Sequence, residues 1–204
     1  MDKNVTFPEY LQVCLEFANT ADWHASEQPV ETLHHYTDLV AWAQRVGILT
    51  GDAAEELNQQ AARFPLDATQ ALAQAIELRE AIYRIFAVVA AGQPVEVADL
   101  AVLNATLPSA YKHLQIVQSG EHFGWGWRDE GDQLDWVLWP VVRSAVDLLT
   151  FSELNRVKQC ADDRGCGYFF MDTTRNRSRR WCTMESCGNR AKARRHYARQ
   201  RHEA

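Results

Sequence analysis

Four of the five cysteines in this 204-residue chain fall between positions 160 and 187, in the pattern Cys160-x5-Cys166-x15-Cys182-x4-Cys187. Two close pairs separated by a spacer of about 12–20 residues is the arrangement of a structural zinc site, each pair pinching one edge of a tetrahedron. Gly165 and Gly167 flank Cys166, and Gly188 follows Cys187. These glycines permit tight turns whose N–H groups can point at sulfur. With four protein ligands no position is left for a reactive water, so the expected site is structural, with one Zn2+ per chain. Two disulfides, or free structural thiols, form the competing reading. Iron also accepts four thiolates, but nothing in the chain asks for redox chemistry. The fifth cysteine, Cys14, lies on an apolar helix face and reads as a core residue.

From Thr173 to Arg201 the chain holds ten basic residues and one acidic one, Glu185. Arg175, Arg177, Arg179 and Arg180 form a loop before Trp181; Arg190, Lys192, Arg194, Arg195, Arg199 and Arg201 follow Cys187. On a helix over about 188–202, Arg190-Arg194-Tyr197-Arg201 and Lys192-Arg195-Arg199-His202 make two rows at i, i+3, i+4 spacing. Such a helix repels itself and has little to bury beyond Ala191, Ala193, Tyr197 and Ala198, so it needs a metal at its root and an anion along its side. Arginine, whose planar fork grips phosphate or guanine edges, outnumbers lysine ten to one in residues 160–204. A nucleic acid is the partner this composition points to. The alternative is a solvated charge run, or a patch docking on the rest of the chain. Residues 160–204 carry 11 basic and 5 acidic groups, residues 1–159 carry 10 and 22, and the whole has net charge −6.

The elements that must hold these residues are mostly helical. Apolar spacing predicts helices over about 10–18, 32–46, 51–64, 67–91 and 96–106. The fourth has the widest apolar face and should be central. Alternation at Leu114, Ile116, Phe123, Trp125 and Trp127 around Ser119-Gly120 predicts a β-hairpin. Gly124 and Gly126 bare one of its faces for close packing. A turn at 129–132 and a helix through Leu148, with Pro140 in its first turn, complete the body.

No nucleophile elbow, phosphate loop or paired acid and base stands in this body. His34 and His35 are adjacent and so face different ways on a helix. Arg79 falls within the apolar stripe of the 67–91 helix and needs an anionic partner. A protein carboxylate such as Glu16 or Glu80 is one candidate. A small anionic ligand, in a pocket shared by Asn19, Trp42, Arg79 and Tyr83, is the other.

The tail resembles the CGNR zinc finger, through Cys187-Gly188-Asn189-Arg190, the preceding Asp172-Thr173-Thr174-Arg175-Asn176-Arg177-Ser178-Arg179-Arg180 and the following Ala191-Lys192-Ala193-Arg194-Arg195. The body is similar to the ABATE-type domain that precedes such fingers, through Leu15-Glu16-Phe17-Ala18-Asn19-Thr20, Leu78-Arg79-Glu80-Ala81-Ile82 and Trp139-Pro140-Val141-Val142. The resemblance implies a bacterial transcription regulator of the stress response, zinc on the four cysteines, and DNA as the polyanion. Asn189 would brace the backbone beside Cys187, and Arg190 would reach a phosphate or base.

The expected architecture is therefore mainly α. A helical domain with a small β-hairpin, residues 1–152, serves as sensor or dimerisation unit. A treble-clef-like four-cysteine finger ending in a basic helix, residues 153–204, follows. The expected function is zinc-dependent DNA binding, without enzymatic activity. RNA binding, or a small-molecule-binding or enzymatic body with a docking tail, is the alternative. A homodimer is the partner that paired DNA half-sites would ask for. No apolar run suits a membrane helix, and Met1-Asp2-Lys3-Asn4 lacks a signal-peptide pattern, so a cytoplasmic protein is expected.

Overall fold

A computed structural model describes residues 8–128, 131 and 133–202; the side chains of 196–198, 201 and 202 lie outside that description. The expected turn at 129–132 therefore falls, except for Gly131, outside the described residues, as do Met1–Asn4 and the side chains of Tyr197, Arg201 and His202.

Seven α-helices are described: α1 (Val13–Ala18), α2 (Tyr36–Arg45), α3 (Gly51–Arg63), α4 (Pro65–Ala90), α5 (Val97–Lys112), α6 (Trp139–Leu149) and α7 (Asn189–His202). Three two-stranded antiparallel sheets accompany them: β1 (Ala21–Asp22) with β2 (Val30–Glu31), β3 (Leu114–Ser119) with β4 (His122–Trp127), and β5 (Val157–Gln159) with β6 (Phe169–Met171). No helix among the described residues is long and apolar enough to cross a membrane.

The body is organised around α4, which touches α1, α2, α3 and α5 as well as β5. One apolar row of α4, Ala71-Ala75-Leu78-Ile82-Ile85-Val89, is buried up to Ile85 and half-buried at Val89. The alanines let neighbours approach closely, and the larger residues fill the space beyond. Phe86, Phe17, Leu15, Leu39 and Trp139 complete this core. Its first boundary differs from expectation: α2 begins at Tyr36, not 32. The Asp38 carboxylate accepts the N–H groups of His34 (2.9 Å) and His35 (2.8 Å), which caps the helix there and leaves both histidines exposed. The second is α5, which runs past Pro108 to Lys112. The proline removes one hydrogen bond, but Leu107 and Ala110 pack on the core on either side of it.

The hairpin β3–β4 pairs in the register Leu114↔Trp127 to Ser119↔His122. Only its root enters the core: Trp127 meets Trp139, whose indole stacks on His113 at 4.1 Å. Ile116, Phe123 and Trp125 stay exposed. Close packing on the glycine face holds for Gly126 alone, where a Cβ would lie 2.6 Å from Val117 Cγ1; Gly124 faces open space. Pro140 stands in the first turn of α6, and Cys14 is fully buried, its thiol pushed up to about 12 by burial.

The pair β5–β6 carries the cysteine region yet belongs to the body's core, since Val157, Phe169 and Met171 all pack within it. Asn19 clamps β6 from α1's end: its side chain donates to the Phe169 carbonyl (3.0 Å) and accepts the Phe169 N–H (2.8 Å). Gly167 lies in the left-handed region (φ 74°), and a Cβ there would meet Tyr83 Oη at 2.6 Å and Ala25 N at 2.7 Å. Gly167→Ala should therefore cost about 2 kcal/mol or more, whereas Gly124→Ala should change stability by less than about 0.5 kcal/mol, both read from urea midpoints.

Candidate metal centre and basic helix

Cys160 follows β5, and its N–H donates to the Tyr168 carbonyl (2.8 Å), extending the hairpin that carries Cys166 at its tip. Cys187 sits in a single π-turn, Met184–Gly188, that leads into α7. Thr183 closes this turn, its hydroxyl accepting the Ser186 N–H (3.3 Å) and its carbonyl the Gly188 N–H (3.0 Å). The four sulfurs lie within 4.8 Å of one another. Cys182 Sγ is 3.8 Å from Cys166 Sγ and 3.6 Å from Cys187 Sγ. Zinc–sulfur bonds of about 2.3 Å in a tetrahedron require sulfur–sulfur edges of about 3.8 Å, whereas a disulfide needs about 2.05 Å. All five cysteines are free. The donor set and its spacing fit one zinc ion and exclude the disulfide reading.

Thiols held this close cannot all ionise without a cation. Hydrogen bonds from Cys166 and Cys182 draw Cys160 well below the ordinary thiol value, and burial pushes Cys187 up. One sulfur takes the charge at the others' expense, and a divalent ion is what makes four thiolates compatible.

The shell around the sulfurs uses charge. Asp162, buried, accepts both Arg190 Nε (3.3 Å) and Nη2 (3.2 Å), Arg194 Nη2 (3.1 Å) and the Arg164 N–H (3.2 Å). Arg190 further donates to Ser186 Oγ (2.8 Å) and Cys187 Sγ (2.8 Å), so its guanidinium braces the metal site. Arg194 also meets Asp163 at 2.5 Å. Asn189 donates to the Glu185 carbonyl (3.3 Å), one turn back across the segment that holds Cys187. The body adds Trp23, whose ring lies under Arg164 (5.0 Å) and Arg190 (5.2 Å). The loop around it packs Ala25 and Ser26 against Gly165 and Gly167.

The arginine loop is equally ordered. Asp172, fully buried, accepts Thr174 N (2.9 Å), Thr174 Oγ1 (2.6 Å) and Arg179 N (2.9 Å). Arg156 donates to the carbonyls of Asp172 (3.2 Å) and Thr174 (3.0 Å). Arg179 folds over Phe170 (4.3 Å) and donates to the carbonyls of Trp181 and Cys182. Arg177 reaches Glu153 at 3.3 Å. Arg175 and Arg180 are exposed.

Successive residues on a helix turn by about 100°, so Lys192, Arg195 and Arg199 lie opposite the Arg190–Arg194 row that faces Asp162. All three are exposed. Among the described residues no cation of the tail pairs with a carboxylate in residues 8–152.

The anion pocket expected around Arg79 is corrected by its partners. The guanidinium is 3% exposed and holds Glu31 in a two-point pair (2.7 and 2.6 Å), with Glu80 at 2.8 Å and His24 in turn on Glu80 at 2.9 Å. Two protein carboxylates leave the guanidinium no charge for a ligand. Tyr83 is spent on Gln159, which donates to its hydroxyl at 2.9 Å, and on a tilted ring contact with His24 at 3.5 Å. Trp42 is buried against Phe17 at 5.0 Å. Asn19 alone of the four lines both clefts at the junction of body and finger, about 490 and 430 Å³, which share Glu16, Asp22 and Tyr168; Trp42 lines the second. The residues that sequence reasoning missed are Asp162, Asp172, Glu31 and Trp23. The first two were legible as rare carboxylates in a basic segment. The other two come from the connection between α1 and α2, Trp23 in a loop and Glu31 at the end of the two-residue strand β2, which carries no periodic signal.

Residues 11–151 match the family model ABATE, described as "Putative stress-induced transcription regulator", and residues 156–200 match the CGNR zinc finger. Neither is an enzyme family. No curated protein matches the chain in sequence.

Removal of zinc with a chelator should lower the melting temperature of the whole chain, not only of the finger, because β6 is shared with the core; an unchanged circular-dichroism melt would contradict this. A second expectation concerns acid. Burial alone would raise Glu31, but Arg79 and the N–H groups of Leu33 and Thr32 outweigh it and hold the carboxyl at about 2. Its folded value is depressed, so its contribution is complete above about pH 4.5 and fades as pH falls toward 2. The stability gap between the unaltered protein and Glu31→Gln should accordingly narrow from about pH 5 to pH 3 in urea titrations.

Proposed function

The chain belongs to the ABATE family and carries a CGNR zinc finger after that domain, and on this premise we propose that it is a transcription regulator that binds DNA through the arginine loop and α7. The observation that carries this reading is the sorting of charge on the finger. Arg190 and Arg194 are spent on Asp162. Arg175, Arg180, Lys192, Arg195 and Arg199 are exposed, with no carboxylate partner among the described residues. A cationic row that its own protein leaves unneutralised is suited to an external polyanion.

The division of labour follows. Cys160, Cys166, Cys182 and Cys187 hold the zinc, which neutralises the thiolates and fixes the start of α7 to the knuckle. Asp162 then orients α7 by its inner row. Asp172 sets the loop so that Arg175 and Arg180 project from a rigid base. These cations position phosphates, and side chains entering a groove would add base readout. The clefts that share Glu16, Asn19, Asp22 and Tyr168 are where a small effector would touch both body and finger.

Duplex binding should be lost with chelator and should weaken steeply with salt. Five phosphate contacts correspond to a fall of roughly several hundredfold between about 50 and 200 mM salt, measured by fluorescence anisotropy. A flat salt response would overturn the proposal. Preference for structured RNA over duplex DNA in competition would redirect it.

A further inference from the structure

Between the segment after Cys160 and the outer side of α7 lies a groove of about 310 Å³. Ala161 and Ala191 line it with small side chains, Trp181 gives it an aromatic wall, and Asp163, Arg180, Arg194 and Arg195 complete its lining. The Ala161 N–H donates to the Arg180 carbonyl at 2.8 Å, which ties the segment after Cys160 to the loop that carries Arg180 and Trp181. Arg194 is committed to Asp162 and Asp163 and forms a static side of the groove.

The indole is half-buried, and its N–H has no partner among the described residues. The guanidiniums of Arg180 and Arg195 lie 5.4 and 5.9 Å from its ring centroid. Cation–π contacts at exposed sites are weaker than charge-assisted hydrogen bonds to phosphate. An incoming phosphate therefore draws both arginines off the ring and bares an aromatic face beside the charge it has just bound. An aromatic wall, flanking cations and a volume of this size suit a nucleotide whose base is free to leave its stack. A continuous duplex offers the groove only phosphates, since its bases remain stacked.

Resting on the nucleic-acid reading above, we propose that this groove takes one unpaired nucleotide of a nucleic-acid strand, its phosphate gripped by Arg180 and Arg195 and its base stacked on Trp181. Asp163 also lines the groove and is paired with Arg194 at 2.5 Å, so its charge is met within the wall. The finger accordingly holds a strand at a melted or bulged position more tightly than the same strand in a perfect duplex.

The test uses the full zinc-loaded chain and labelled oligonucleotides of one sequence, single-stranded and as a duplex, followed by fluorescence anisotropy. Trp181→Ala should weaken single-strand binding on the order of tenfold or more, since stacking on one aromatic residue is worth about that, and duplex binding by less than about twofold. Trp181→Phe should restore most of the single-strand affinity. Because Trp181 adjoins Cys182, the zinc content of each variant is measured. Arg195→Gln, on the exposed side of α7, gives an independent variant that should also weaken single-strand binding. For Trp181→Ala, parallel losses on single strand and duplex, no loss at all, or failure of the phenylalanine to rescue would overturn the assignment; Arg195→Gln, a phosphate contact in both modes, should weaken duplex binding as well. Duplex binding by the unaltered chain with no single-strand sensitivity at Trp181 and Arg195 sinks this inference alone. Failure to bind any nucleic acid sinks the parent reading as well.

Discussion

Four sulfurs within 4.8 Å can all be thiolates only around a cation, and that single electrostatic constraint organises the C-terminal quarter of the molecule. The knuckle presents Cys160 and Cys166, and the turn before α7 presents Cys187. The two segments meet at the sulfurs and through the ion pairs of Asp162 and Asp163 with α7. A basic helix with so little apolar surface has no hydrophobic reason to stand where it does. Metal and carboxylate supply that reason together: the zinc site holds the start of the helix, and Asp162 fixes its rotation.

The same constraint reaches into the body, because β6 serves both parts. Phe169 and Met171 pack with the core of helices, while the preceding residues turn back to present Cys166. Asn19 ties β6 to the end of α1, Gln159 ties β5 to Tyr83 on α4, and Trp23 lies beneath the guanidiniums of the finger. A chain that buries one strand pair in both a core and a metal site transmits strain between them. The Arg79 cluster stands next to this junction: Glu80 joins it to His24, and the His24 ring packs at a tilt against Tyr83. A buried guanidinium here orders the loop that cradles the knuckle instead of receiving a ligand.

Charge on the finger is sorted, not merely accumulated. Asp162 and Asp172 are each buried within a segment rich in arginine, and each fixes a different part of it. What remains unneutralised is a smaller set than the composition implies, and it is set apart from the cations that face inward. This sorting gives a patch of fixed shape, which a solvated charge run lacks.

The metal ligands, the helical class of the body, the central helix and the hairpin were all legible along the chain, because each depends on local spacing. Cysteine pairs pinch a tetrahedron through short turns, and apolar residues at i, i+3 and i+4 make a face wherever the helix later packs. Which arginine of α7 faces Asp162, which carboxylate answers Arg79, and that Trp23 lies under the finger were settled only by the tertiary structure. Glu31 is 48 residues from Arg79 in sequence and Asp162 is 28 from Arg190. Partners so distant carry no periodicity, and an ion pair between them exists only once packing has brought the two segments together.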